Sequence, residues 1–163
     1  MTATMYPTEP AGRGWWRRPA HEEQPGIDRD VPLFSHLSNR RLRKLDGLYE
    51  VISVPTGHYL VNAGHTGREF IVILAGSAVV VAQGERARVL HAGDHVGEIS
   101  LLRRFRREDT RRTATVQTTS PTTIASFTAR NFERMLERCP HLRPDLEHDV
   151  RERLGRDAVV RAA

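Results

Sequence analysis

Two short stretches of this chain hold residue types that can grip a small anion. The first is Gly97-Glu98-Ile99-Ser100-Leu101-Leu102, and the second is Arg112-Thr113-Ala114-Thr115-Val116. A short helix that starts near Glu98 aims unpaired backbone N–H groups toward its own N-terminus, where an anion is stabilised. Gly97 removes the Cβ that would hold such an anion away. Arg112 adds a charge-assisted contact through a planar fork that matches two oxygens. The Thr113 hydroxyl can donate one more hydrogen bond. Together these meet the needs of a phosphodiester, which carries one negative charge and two free oxygens. Glu98 would repel that group, so it suits another part of the same ligand, a ribose 2′-hydroxyl that donates to a carboxylate. Arg111 and Arg112 are adjacent, so on a strand only one of them enters the site. The alternation with Ala114 and Val116 selects Arg112.

A frame of short strands must bring these stretches together. Glu50 to Val54, Tyr59 to Val61, Phe70 to Leu74, Ala78 to Ala82, Arg88 to Leu90, Thr115 to Thr118 and Thr123 to Phe127 are rich in β-branched or apolar residues. Turn residues separate them: Pro55-Thr56-Gly57, Asn62 to Gly67, Ala75-Gly76-Ser77, Gln83-Gly84-Glu85 and Gly93-Asp94. Short strands at this spacing predict a sandwich or barrel. Before them, Leu37, Leu42, Leu45 and Leu48 recur at helical spacing behind Ser38 as N-cap, and Gly47 weakens that helix. After them, Thr128 caps a helix carrying Phe132, Met135 and Leu136, which Pro140 stops. A last helix from Pro144 carries Leu146, Val150 and Leu154, with Gly155 as its expected C-cap. The order is helix, about eight strands, helix, helix.

Composition fits a single soluble domain with tails. The chain has 163 residues, 28% charged and 39% hydrophobic, with a formal net charge of +5. Its basic charge is arginine apart from Lys44. That balance permits anionic partners without specifying one. No apolar run reaches the ~18 residues of a membrane helix, and the N-terminus has no apolar secretory core. Cys139 is the sole cysteine, which excludes an internal disulfide and sets a reducing cytoplasm as the expected location. Residues 1–28 read as a disordered basic tail, 29–155 as the domain, and 156–163 as a frayed end. Within the tail, Trp15-Trp16-Arg17-Arg18 can dock on a membrane interface or a partner groove, or pack back on the domain. The packed reading is favoured, since no amphipathic face continues from it.

The two stretches, in this order, resemble the phosphate-binding cassette of the cyclic-nucleotide-binding domain family. That family includes catabolite-activator-type bacterial regulators and the regulatory subunits of cyclic-AMP-dependent protein kinase. The resemblance runs from about Val31 to Leu154. Val31-Pro32-Leu33-Phe34 resembles the family's opening helix, Gly57, Gly64 and Gly76 its turn glycines, and Gly93-Asp94 the turn before the cassette. It implies a mainly β fold: an eight-stranded β-jelly-roll barrel with an N-terminal helix and two C-terminal helices. It implies that Gly97 and the backbone amides of Ile99 and Ser100 meet the phosphate. Glu98 holds the ribose 2′-hydroxyl, Arg112 pairs with the phosphate, Thr113 and Ala114 support it, and the last helix closes over the base. Cyclic AMP is the default ligand and cyclic GMP stays open, because Glu98 and Arg112 do not choose between the bases. The chain then reads as a stand-alone bacterial sensor module acting on an effector protein, with homodimerisation open. It ends too soon after Leu154 for a helix-turn-helix, so no DNA-binding module is evident.

One departure from the family pattern is the segment Arg103 to Arg111, longer than its relatives' and without their small or Gly-Pro turn. It bears on whether Arg112 points inward. It reads as a solvated loop, as extra charge for a more anionic ligand, or as a dock for an acidic partner. The altered loop also motivates a second reading of the whole, a member that has lost its ligand and acts as a scaffold. A third reading takes His91, His95 and Glu98 as metal ligands of a cupin-like enzyme. It is disfavoured, because the closely paired histidines of cupins are missing. No Gly-x-Ser-x-Gly elbow or Walker loop is present, and Cys139 has no evident partner base. No catalytic role, metal or further cofactor is expected.

Overall fold

The computed structural model describes residues 25–82 and 85–162. The Trp15-Trp16 cluster and most of the expected tail lie outside the described residues.

Eight strands form: β1 (Glu50–Val54), β2 (Tyr59–Val61), β3 (Glu69–Ala75), β4 (Ser77–Ala82), β5 (Glu85–His91), β6 (His95–Val96), β7 (Thr115–Thr118) and β8 (Thr122–Thr128). The α-helices among the described residues are α1 (Asn39–Leu42), α2 (Glu98–Phe105), α3 (Ala129–Arg138) and α4 (Leu142–Ala162). The strands build two antiparallel four-stranded sheets in the orders β1-β8-β3-β6 and β2-β7-β4-β5.

The expectation of a closed eight-stranded barrel is therefore corrected. β1 and β6 end one sheet and β2 and β5 end the other, and among the described residues no ladder joins these edges. The result is a two-layer α/β arrangement, with strands in two separate sheets and helices packed against one of them. The physical reason is that β5 and β6, consecutive in the chain, lie in different sheets, with the turn through Gly93 between them. β6 spans only His95–Val96 and pairs through Ile71 and Val72 of β3 alone. Alternation in sequence reports which face of a strand is buried. It does not report which edges pair, and closure depends on the edges.

β3 explains the two-layer packing. Its run Phe70-Ile71-Val72-Ile73 is buried throughout, as expected of a strand covered on both faces. Phe70 and Val72 face a core shared with Phe34, Leu37, Leu45, Phe127, Phe132 and Met135. Ile71 and Ile73 face a second core between the sheets, with Val54, Val61, Leu90, Val116 and Ile124. Val89 on β5, by contrast, is 51% exposed, which marks the outer face of the second sheet.

The helix ends follow the sequence except at the last one. Ser38 and Thr128 cap α1 and α3 by accepting from the backbone N–H of Arg41 and Asn131 at 3.4 and 3.2 Å. The helix expected over Leu37–Leu48 is broken into α1 and a 3₁₀ turn at Arg43–Leu45. Gly155 does not cap α4, which runs on to Ala162. A glycine costs a helix interior only ~1 kcal/mol, and flanking residues such as Glu152, Arg153 and Arg156 are good helix formers.

Candidate functional site

α2 begins at Gly97, whose φ of +101° lies in the left-handed region. A Cβ built there would sit 2.4 Å from the Glu69 carbonyl oxygen and 2.7 Å from Nη1 of Arg112. Glycine is therefore required twice over, for conformation and for space. The first backbone N–H groups of α2 have no carbonyl partner one turn earlier in the helix and point toward the same place.

Arg112 reaches that place from the other side. Its backbone N–H donates to the His65 carbonyl at 2.8 Å, and its own carbonyl accepts from Gly64 at 2.9 Å. The adjoining bridge pairs Thr66 with Arg111. These bonds turn Arg112 inward, where it is 8% exposed. Arg111 turns outward and donates to Asp109 at 2.8 Å, which helps hold the Asp109 carboxyl down at about 2. Nη2 of Arg112 donates to the Glu69 carbonyl at 2.7 Å and lies 3.6 Å from the Glu69 carboxylate. Nη1 is buried and has no hydrogen-bond partner among the described residues. Burial pushes the guanidinium below its ordinary pKa, and the charges of Glu69 and Glu98 oppose that shift.

Gly67, passed over in the sequence, completes this pocket. A Cβ there would lie 2.4 Å from Ser100 Cβ and 2.9 Å from Nε of Arg112. Its absence lets Ser100 and the guanidinium pack side by side. The signal was a second glycine in the Asn62–Gly67 turn segment, two residues before a strand.

Glu98 is fully buried and engaged from α4. Nη1 of Arg153 donates to its Oε1, while Nη2 of Arg153 donates to the His95 carbonyl at 3.1 Å. His95 Nδ1 lies 3.4 Å from Glu98 Oε2, and His95 Nε2 lies 3.1 Å from Asp149 Oδ2 on α4. Burial raises the Glu98 pKa, but the His95 hydrogen bond and the His95 and Arg153 charges outweigh it, so the net direction is down. Burial lowers His95, but its bonds to Asp149 and Glu98 outweigh that, so the net direction is up. Asp149 and Arg153 also escaped the sequence reading. An acid and a base four residues apart on the last helix were their only mark. A cleft of about 350 Å³ opens beside this cluster, lined among others by Leu33, Arg88, His95, Asp149 and Arg153.

The structure thus gathers Gly97, Ser100 and Arg112 at one point, with Glu98 buried next to it in the same helix. Ile99 and Ala114 are partly buried, and Thr113 is exposed. The Arg103–Arg111 segment has not displaced Arg112. Phe105 stacks on Phe132 at 6.4 Å, and the Arg143 guanidinium lies over the Phe105 ring at 4.9 Å from its centroid. Arg104, Arg106 and Arg107 are exposed. The metal reading fails on placement. His91 is exposed, and among the described residues no three His, Cys, Asp or Glu side chains form a metal-holding group. No described helix is long and apolar enough to cross a membrane.

Comparison with known proteins agrees with this geometry. A family model described as cyclic nucleotide-binding domain matches residues 51–139. The cAMP-dependent protein kinase regulatory subunit of Schizosaccharomyces pombe is 30% identical over 129 residues, covering 78% of this chain and 29% of that protein. Potassium/sodium hyperpolarization-activated cyclic nucleotide-gated channel 3 of Mus musculus is 33% identical over 135 residues, covering 80% of this chain and 16% of that protein. The chain spans less than a third of the length of these relatives. Among solved structures, the Thermus thermophilus catabolite activator protein shares the fold with a TM-score of 0.68 at 20% identity, covering 80% of this chain and 61% of that one. The regulatory domain of Toxoplasma gondii PKA, crystallised with cAMP, gives 0.65 at 22% identity, covering 76% and 47%. The matched model spans the strands, the glycine-started helix and the inward arginine alike, and on that ground the chain belongs to the cyclic nucleotide-binding domain family.

Proposed function

We propose that this chain senses cyclic AMP, holding the phosphate between Arg112 and the first turn of α2. The observation that carries this reading is Nη1 of Arg112, a buried donor with no partner among the described residues, lying beside Gly97. A buried unsatisfied donor costs ~1–3 kcal/mol, and a phosphate oxygen at the α2 N-terminus would satisfy it. Gly97 leaves room for that oxygen, and the Ile99 and Ser100 amides supply further donors. Thr113 and Ala114 follow Arg112 along the same rim. Glu98 is the acceptor for the ribose 2′-hydroxyl, and α4 is the element that carries the signal to an effector protein. The choice of cyclic AMP rests on the Toxoplasma relative, which was crystallised with that ligand.

Titration calorimetry against cyclic AMP and cyclic GMP tests this, with Arg112→Ala as control. A charged hydrogen bond is worth ~1.5–3 kcal/mol, so the substitution should weaken binding by about 10- to 100-fold. Equal affinity in the two proteins would remove Arg112 from the site. No heat from the folded native protein with either ligand would favour a scaffold role, in which Arg153 permanently occupies Glu98.

A further inference from the structure

His95 has a property that the ligand site does not require. Both of its ring nitrogens face carboxylate oxygens, Nδ1 toward Glu98 at 3.4 Å and Nε2 toward Asp149 at 3.1 Å. A neutral imidazole carries one N–H and can donate to only one of them, whereas the imidazolium donates to both. The side chain is only 7% exposed, so water cannot readily replace a lost partner. One carboxylate belongs to α2 and the other to α4, so the second proton joins two elements.

We propose that His95 is a proton-operated latch, whose imidazolium docks α4 onto the start of α2 and whose deprotonation loosens that helix. Its consequence for signalling rests on the cyclic-nucleotide reading above; the latch itself rests on the three side chains.

The charges around the ring are consistent with this. Protonated His95 and Arg153 balance Glu98 and Asp149, and loss of the imidazole proton leaves the cluster with a net negative charge. From β5 and the following turn, Arg88 and Asp94 line the adjoining cleft, and α4 adds His148, Glu152 and Arg156. β3 meets the ring with Phe70, its centroid 5.5 Å away, and the 3₁₀ turn at Pro32–Phe34 contributes only apolar side chains to the cleft. Neither surface titrates. Docking raises the imidazole's proton affinity through Asp149, as the upward shift of His95 indicates. Docking is thus strongest below the ordinary histidine range and weakens as pH rises through the raised value.

Hydrogen exchange of the α4 amides at pH ~6 and ~8, corrected for intrinsic rates, reads helix opening directly. Linkage to the lost imidazole proton requires more opening at the higher pH, and a ratio well above about twofold is expected. Asp149→Asn, on a partly exposed side chain, should reduce that ratio below about twofold, while His148→Gln should keep it. Opening that is the same at both pH values in the native protein, or a full ratio retained in Asp149→Asn, overturns the latch. Calorimetry with cyclic AMP on the same samples separates the two readings. A pH-linked α4 without cyclic AMP binding supports the latch and refutes the ligand, whereas binding with a pH-insensitive α4 refutes the latch alone.

Discussion

Gly97→Ala is the substitution whose effect the structure specifies most closely. The backbone at Gly97 has φ +101°, and an added Cβ would lie 2.4 Å from the Glu69 carbonyl oxygen. A side chain in the left-handed region costs ~1–2 kcal/mol. The contact with Glu69 is backbone against a fixed position, so β3 or the start of α2 must move, an overpacking cost of ~1–3 kcal/mol. The sum is about 2–5 kcal/mol, and for a chain of this size each kcal/mol lowers the melting temperature by ~2–4 °C. A drop on the order of 10 °C is expected by differential scanning calorimetry. Gly57→Ala is the matched control, because Gly57 has φ +84° with no atom within 4 Å of an added Cβ. It bears the conformational cost alone, so the difference between the variants measures the close approach. The same Cβ would lie 2.7 Å from Nη1 of Arg112, so cyclic AMP affinity should fall in Gly97→Ala and hold in Gly57→Ala. Two variants that melt within about 2 °C of each other would refute the claim that the α2 start is packed against β3 and Arg112.

Two further outcomes follow from the charged cluster. Arg153→Ala leaves Glu98 buried with only the long His95 contact, and breaking such a pair should destabilise the protein by about 3 kcal/mol in denaturant unfolding; Arg111→Ala, on an exposed pair, should leave the midpoint unchanged. Thermal stability should also be highest between about pH 5 and 6.5. The lowered Glu98 and Asp149 give stability that is present above the ordinary carboxylate range and lost as pH falls through their lowered values. The raised His95 gives stability that is present below the ordinary histidine range and lost as pH rises through its raised value. Melting temperatures that climb steadily from pH ~6.5 to ~9 would contradict this assignment of signs.

Much of the site was legible because its chemistry is local. Gly97 before a helix start was legible from its left-handed turn alone, although the close approach of Glu69 and Arg112 that also demands a glycine there was not. The alternation of Arg112 with Ala114 and Val116 already separated it from Arg111, and the inward turn of Arg112 follows that pattern. The caps Ser38 and Thr128 were legible for the same reason, since each bonds three residues ahead. Gly67 was not, because the atoms it makes room for belong to Ser100 and Arg112, far along the chain. Asp149 and Arg153 were not either, since nothing near them in sequence requires a carboxylate or a guanidinium.

Most of the elements, the two stretches around Gly97 and Arg112, and the choice of Arg112 over Arg111 could be read from the sequence, because residue type, two- and 3.6-residue periods and helix capping act over a few residues; the two-residue β6 and the break after α1 could not. Only the tertiary structure decided that the eight strands form two open sheets, since edge pairing is a long-range choice that alternation does not record. It also decided that Gly155 would be carried through α4, and that α4 would bring Arg153 and Asp149 onto Glu98 and His95. Burial is the reason for that last result. A carboxylate removed from water must find partners wherever the fold places them, and here it finds them some fifty-five residues away.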